Sequence, residues 1–489
     1  TGGLGIFSGG DPVVFFSNAF SNNGFSSANG DTFDCDPSEL TLDPATGQID
    51  VVTNGQFTGL PQCAVNAAVA TAAVGGADVQ STDPDFDVPT VTRANIGFQS
   101  DIGGDTGFFG NWRLNVDYIY SRFNDTLSVV DLTQIPDPSL GNNGFASDGR
   151  PIIRAIDPLN DGCNATFVNN RPLTFNGVTD DCFGTRIDEF IQLTNGPSFD
   201  SHNASLILSK QFEEGVFTEN GSVFVNFGYA FSDSEQTINF RSSTAGSTFD
   251  GTAVVDPQDP AVSQSGFETR HNFTFTVNFR EEFIENYRTS LGIFFRASEG
   301  RPYSLTFNQD GQLQDDGFPA FRDGSSAEAN ALAYIPTGVN DPNLSPLSNP
   351  AAVTSFLNAI NSGDGIISDL NCNFTQGEIV ERNQCRNDWF FDMDVRLSQE
   401  LPFLGSAAGI VEDRIELFVD FDNFLNLFDS NWNSRRSLGG FDGRVALVDA
   451  SFDDNGLLVI DNFNPSAAQA NTLESNTAWR IQFGARYEF

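Results

Sequence analysis

The residue types able to do chemistry are few and scattered through a chain of 489 residues. His202 and His271 are the only histidines, about seventy residues apart, with no HExxH or comparable ligand spacing. His271 opens a strand-like segment and His202 ends a loop-like one, so ordinary polar positions account for both. Asp and Glu total 65, enough for paired carboxylates to arise by chance, and no acid–base dyad stands out. "NQDGQLQDDG" at 308–317 gathers Asn308, Asp310, Asp315 and Asp316 around glycines, the hard oxygen donors that calcium takes. It lacks the EF-hand order and a terminal bidentate Glu, so a solvated turn-rich loop is the plainer reading and calcium the alternative. "DPDFD" at 83–87 and "SFDDNG" at 451–456 are read the same way. Neither an enzyme nor a bound cofactor is expected.

Six cysteines, Cys35, Cys63, Cys163, Cys182, Cys372 and Cys385, form three sequence-neighbouring pairs separated by 28, 19 and 13 residues, with no CxxC among them. Local disulfides are the natural reading and imply an oxidising compartment. Their Gly/Asp/Asn-rich surroundings do not look like core, which argues against six buried free thiols. The formal net charge of −41 sets aside nucleic acid as a partner, since both polymers would be polyanions. Residues 1–10, "TGGLGIFSGG", carry neither a basic start nor an apolar stretch of signal-peptide type.

What positions these residues is a set of two-faced strands. Phe numbers 49 and Gly 46, yet the mean hydropathy is −0.22, and no apolar run reaches the 18 residues or so that a membrane helix needs. At the end of the chain, "TAWRIQFGARYEF", Trp479, Ile481, Phe483, Ala485, Tyr487 and Phe489 alternate with Arg480, Gln482, Gly484, Arg486 and Glu488. The same alternation sets Phe391, Met393 and Val395 against Asp392, Asp394 and Arg396, and Leu417, Val419 and Phe421 against Glu416, Asp420 and Asp422. It recurs at 93–99, 112–121, 204–209, 222–231, 272–280 and 289–296.

The connections separate a membrane barrel from a soluble sandwich. Short links at about 102–110, 213–221, 281–287 and 401–412 alternate with long ones at about 122–202, 234–270, 299–387 and 429–476, and a long segment, 8–90, precedes the first full strand. Up-and-down outer-membrane barrels sort their reversals in this way, tight on the periplasmic side and expanded outside. All three cysteine pairs fall in long segments, where disulfides would restrict loops of otherwise high conformational freedom. Ten steps from Trp479 to Phe489, at roughly 3.3 Å each and a tilt near 40°, rise about 25 Å, the height of a barrel's apolar band. Trp389 then marks the outer headgroup level and Trp112 the inner one. Nine full strands are expected, with "LGIF" at 4–7 as the end of a tenth. The expected fold is all-β: an antiparallel up-and-down transmembrane β-barrel, of which 1–489 is the C-terminal portion, without a plug or N-terminal strands.

Eight stretches in order resemble TonB-dependent outer-membrane receptors of the Oar-like group. They are "GIFSGGDPVVFFSNAFSNNG" (5–24), "WRLNVDYIYSRFND" (112–125), "DGRPII" (148–153), "SSTAGSTFDG" (242–251), "SEGRPYSLTF" (298–307), "AYIPTG" (333–338), "RNDWFFDMDVRLSQELP" (386–402) and "VDFDNFLNLFD" (419–429). The resemblance implies a 22-stranded barrel, a plug and TonB coupling supplied by parts of the parent protein outside this sequence, and a location in the outer membrane of a Gram-negative bacterium with loops exposed outside. It also implies that Phe483, Tyr487 and Phe489 end a signal for the barrel-assembly machinery. Asp392, Asp394, Arg396, Asp420, Asp422, Arg480, Arg486 and Glu488 would face the lumen, pairing with one another or with a plug. The expected partners are lipid, the plug or missing strands from the parent or another chain, and TonB. The expected function is energy-coupled transport of a ligand caught by the outer loops. The alternative is a structural or adhesive surface protein.

Overall fold

The computed structural model describes residues 1–9, 12–21, 38, 40–43, 49, 52–53, 56–57, 61–66, 79–104, 107–158, 160–170, 172–183, 190–238, 240, 245–309, 330–361, 372–409, 413–439, 443–468, 471–472 and 477–489. Ten antiparallel strands form one sheet in chain order. They are β1 (Gly2–Ser8), β2 (Thr90–Ile102), β3 (Trp112–Asn124), β4 (Phe199–Phe212), β5 (Ser222–Gln236), β6 (His271–Ile284), β7 (Tyr287–Ser298), β8 (Phe390–Pro402), β9 (Arg414–Asp422) and β10 (Arg480–Glu488). Each pairs with its sequence neighbour, and among the described residues β1 and β10 are each paired on one side only. The architecture is all-β and up-and-down, with connections alternating short and long as expected.

The strands outrun the sequence reading. β2 to β8 are 12–15 residues long, because polar residues at their ends continue the hydrogen-bonded ladder without alternating in hydropathy. One short link, expected at 281–287, is only Glu285 and Asn286, with Asn286 in the left-handed region at φ 65°. His202 lies inside β4, opposite Tyr120, rather than at the end of a loop.

Antiparallel partners directly opposite one another share a face, so the register traces one surface across all ten strands. Ile6 leads through Thr92 to Arg122, and Leu4 through Ala94 to Tyr120. Further along, Phe98 stands opposite Val116, Val116 opposite Leu206, and Leu208 opposite Phe227. The row continues through Phe275, Phe295 and Met393, and through Leu397, Val419 and Phe483. Most of this face is apolar. Leu4 is 80% exposed, Ile96 65% and Phe483 79%, so the sheet turns its greasy side outward.

Aromatic rings gather at both ends of that face. Near the long connections, Tyr118 stacks with His202, Tyr229 with His271, and His271 with Trp389. At the short turns Trp112, Phe108 and Phe212 cluster, as do Phe403, Tyr487 and Phe489. The sole lysine, Lys210, lies on this face beside Phe212, its Nζ 4.4 Å from the ring centroid. Its ammonium donates to the carbonyls of Gly107 (2.6 Å) and Phe108 (3.0 Å) in the turn, the behaviour of a long cation reaching from an apolar surface to polar partners.

The conventional hydrophobic core lies elsewhere, in the long connections. Tyr303, Leu305, Phe307, Phe356, Leu447 and Ile460 are buried together. Pro302–Gln309 pairs in parallel with Arg444–Phe452, which pairs in turn with Leu458–Phe463. Helix Pro350–Asn361 places Val353 and Phe356 in the same cluster. Ile152 and Ala253 join from two other connections, so four connections share one core. These connections are therefore held by a shared core as well as by disulfides: apolar residues too few to fold within any one connection are buried by pooling them.

Candidate functional site

Polar side chains dominate the opposite face of the sheet and pair across strands. Arg396 binds Asp420 at 3.0 Å and lies 3.8 Å from Glu416, which also meets Arg486 at 3.7 Å. Arg414 holds Glu400 at 3.3 Å and Glu488 at 3.7 Å. Asp394 accepts a backbone N–H from Asn423 at 2.9 Å, Asp422 stands opposite Arg480, and Asp392 stands opposite Arg296. All eight charged residues singled out in the sequence therefore share this face. The Arg396 guanidinium lies 4.3 Å from the Phe418 ring centroid. A Cβ at Gly484 would come within 2.1 Å of that ring, so glycine is what lets Phe418 lie flat across β10. Opposite charges this close favour a mutually satisfied network over free catalytic groups.

Phe483 and Tyr487 lie on the apolar face of β10, and Phe489, 94% exposed, directly follows that strand. Tyr487 donates its hydroxyl to Asp413 at 3.2 Å. The histidines lie on the same face: Tyr118 Oη is 2.7 Å from His202 Nδ1, and Tyr229 Oη is 2.9 Å from His271 Nδ1. Among the described residues no group of three or more His, Cys, Asp or Glu could hold a metal ion.

Cys163–Cys182 and Cys372–Cys385 are disulfides. Cys63 is also disulfide-bonded, and Cys35 lies outside the described residues. Cys182 and Cys385 are fully buried in hydrophobic clusters, contrary to the reading of these segments as unlike core: their polar neighbours face out while the sulfurs face in. Asn308 lies in the strand Pro302–Gln309, not in a loop, and donates to Asp449 at 2.8 Å. Asp310, Asp315 and Asp316 lie outside the described residues, so the calcium reading is left at Asn308 alone. In "SFDDNG", Asp453 accepts the amides of Asn455 and Leu457, both at 3.0 Å, closing the turn between two strands.

"DPDFD" has a clearer place. Asp83 accepts from Asn170 at 2.8 Å and Thr194 at 3.0 Å, and Asn170 also donates to Gln192 at 2.8 Å. Asp83, Asn170 and Gln192 border a cavity of about 660 Å³ walled by Phe167, Phe175 and Phe190. Phe167 and Val168 are more than half exposed at its edge. An apolar pocket with a few convergent polar groups is the form ligand sites take. Sequence reasoning missed it because its walls come from five separate stretches between 83 and 192 that share no spacing.

A second carboxylate in the long connections is tightly held. Asp341 accepts the Tyr334 hydroxyl (3.1 Å), the Thr337 amide and hydroxyl (2.6 and 2.7 Å) and the Asn343 amide (2.8 Å). Burial alone would raise this carboxyl, but these donors outweigh it and hold Asp341 below its ordinary value.

No family model matches the chain, and no curated protein matches it. Among solved structures it is similar to the outer membrane transporter YddB from Escherichia coli, with a TM-score of 0.36 and 10% identity over 84% of this chain. The chain spans about a third, 34%, of that protein's length.

Proposed function

We propose that the chain forms part of the wall of an outer-membrane transporter-like β-barrel, with its long connections built into an outer cap that meets the ligand. The observation that carries this reading is the continuous apolar face across ten strands, fringed by aromatic rings at both ends. Water penalises such a surface, at roughly 25 cal/mol per Å². Hydrocarbon does not, and aromatic rings favour the headgroup levels that flank it. Among the described residues β1 and β10 each leave one edge unpaired, and in lipid those backbone groups need further strands, from the rest of a parent protein or from another chain.

In this reading the polar face lines the lumen, and the paired charges from β8 to β10 hold a plug or one another. The cavity beside Asp83 and Asn170 is a first contact for ligand on the outer side. The resemblance to Oar-like TonB-dependent receptors supports energy coupling through a plug, and assembly through the final strand. No catalytic role is proposed. The test is reconstitution: the purified full chain is expected to stay in solution only with detergent and to insert into liposomes. A monodisperse chain in plain buffer would overturn the proposal. The shared core of the outer connections favours one second reading, a rigid adhesive surface without transport. Ligand uptake by the reconstituted parent protein separates the two.

A further inference from the structure

The formal net charge of −41 makes any concentration of cations conspicuous. Four of the few arginines nonetheless meet around one cavity of about 260 Å³, where the outer ends of β7 and β8 join the outer connections: Arg296, Arg301, Arg435 and Arg436. Arg296 and Phe390 belong to the polar face by register, so the cavity opens on the side away from the proposed lipid. The guanidinium of Arg435 sits 5.7 Å from the Phe390 ring centroid.

Two carboxylates, Glu299 and Asp388, line the cavity against the four guanidiniums and offset only part of their charge. Glu299 lines the cavity but pairs with Arg386 at 3.5 Å. Asp388 lines it too, and Asp388 and Arg436 are each already engaged in an interaction. Arg296 faces Asp392 in the register without an ion pair, and its buried Nε has no hydrogen-bond partner. Arg301 and Arg435 likewise form no ion pair among the described residues. Burial, and then repulsion from Arg301 and Arg296, holds Arg435 below the ordinary arginine value. Guanidiniums that outnumber the carboxylates beside them favour an added anion, and their planar donor forks match the oxygens of phosphate and carboxylate groups.

We propose that this cavity binds an oxyanion, a phosphate or clustered carboxylate carried by a soluble ligand, at the outer rim of the polar face. Binding is a property of the cavity itself, so its measurement stands apart from the test of membrane insertion. The experiment is calorimetric titration of the full chain in neutral detergent at low salt with inorganic pyrophosphate and, separately, citrate. At least one is expected to bind at a single site, with affinity falling as salt rises. Arg301→Gln combined with Arg435→Gln is expected to weaken binding by about tenfold or more. Arg113→Gln, at an exposed pair beside the short turns, is expected to leave it unchanged. Because the double variant also loses packing against Phe390, Arg301→Lys with Arg435→Lys provides a second comparison: it keeps the charge, loses the fork, and is expected to fall between the other two. Failure of both soluble anions to bind at millimolar concentration, or wild-type affinity in the double Gln variant, would overturn the site. Binding only to vesicles with phosphate headgroups, and to neither soluble anion, would overturn its assignment to a soluble ligand.

Discussion

The ten-stranded sheet and the packed long connections, the proposed wall and cap, use the same residues in opposite ways. In the wall, Leu4, Ile96 and Phe483 point outward and are largely exposed, whereas in the cap Phe307, Phe356 and Leu447 have no exposed surface. The wall has no core of its own: its order comes from the backbone ladder and from what its apolar face meets. The cap is stabilised like a small soluble domain, by a shared core and buried disulfides. Where a hydrophobic residue sits relative to solvent, more than how hydrophobic it is, separates the two regions. Mutations should therefore act on one region and spare the other.

The largest expected effect is in the cap. Phe356→Ala removes a fully buried ring and is expected to cost about 3–5 kcal/mol, read as faster hydrogen exchange throughout the cap while the wall amides stay protected. Loss of wall protection as well would mean that the two regions form one cooperative unit. Next is Leu397→Arg, at mid-height on the apolar face of β8 and 45% exposed. In liposomes it is expected to cost about 2–4 kcal/mol, as for a charge facing hydrocarbon. An equally stable reconstituted variant would contradict the lipid assignment.

A smaller effect depends on pH. Asp341 is held below its ordinary value of 3.8, so its contribution is fully present above that value and is lost as pH falls through the folded-state value. Acid unfolding of the cap is expected to begin below about pH 4, with the wall less affected. Asp341→Asn is expected to flatten that acid dependence in a thermal melt followed at several pH values. An unchanged acid limb would remove Asp341 as its cause. The smallest effect is expected from Arg396→Gln. Its side chain is 44% exposed, so the loss is expected to stay within about 1 kcal/mol, measured by urea unfolding in liposomes. A loss of several kcal/mol would show that the polar-face pairs are shielded from solvent.

How legible each region was follows from the same contrast. The wall could be read because alternation is local: Phe273, Phe275, Val277 and Phe279 announce a strand without reference to anything distant. The parity of short and long connections then supplied the topology. Only the ends escaped, as at Phe199–Ala204, where polar residues continue the ladder. The cap escaped because its order is long-range. Ser304 pairs with Arg444 in parallel, across a separation that no local pattern marks, and Ile152, Ala253, Phe356 and Leu447 meet from four connections. The cavity beside Asp83 and the arginine cluster were hidden for the same reason. The paired charges of β8 to β10 were legible because they inherit the parity of the wall.

The central claim is that one face of the sheet meets hydrocarbon and the other does not. Phe275 and Thr276 are adjacent on β6 and point to opposite faces. Phe275→Trp and Thr276→Trp, each in the full chain reconstituted with acyl-brominated lipid, allow the difference in tryptophan quenching from the parent chain to be compared. Strong added quenching is expected for Phe275→Trp and little for Thr276→Trp. Equal quenching, or stronger quenching at position 276, would contradict that claim.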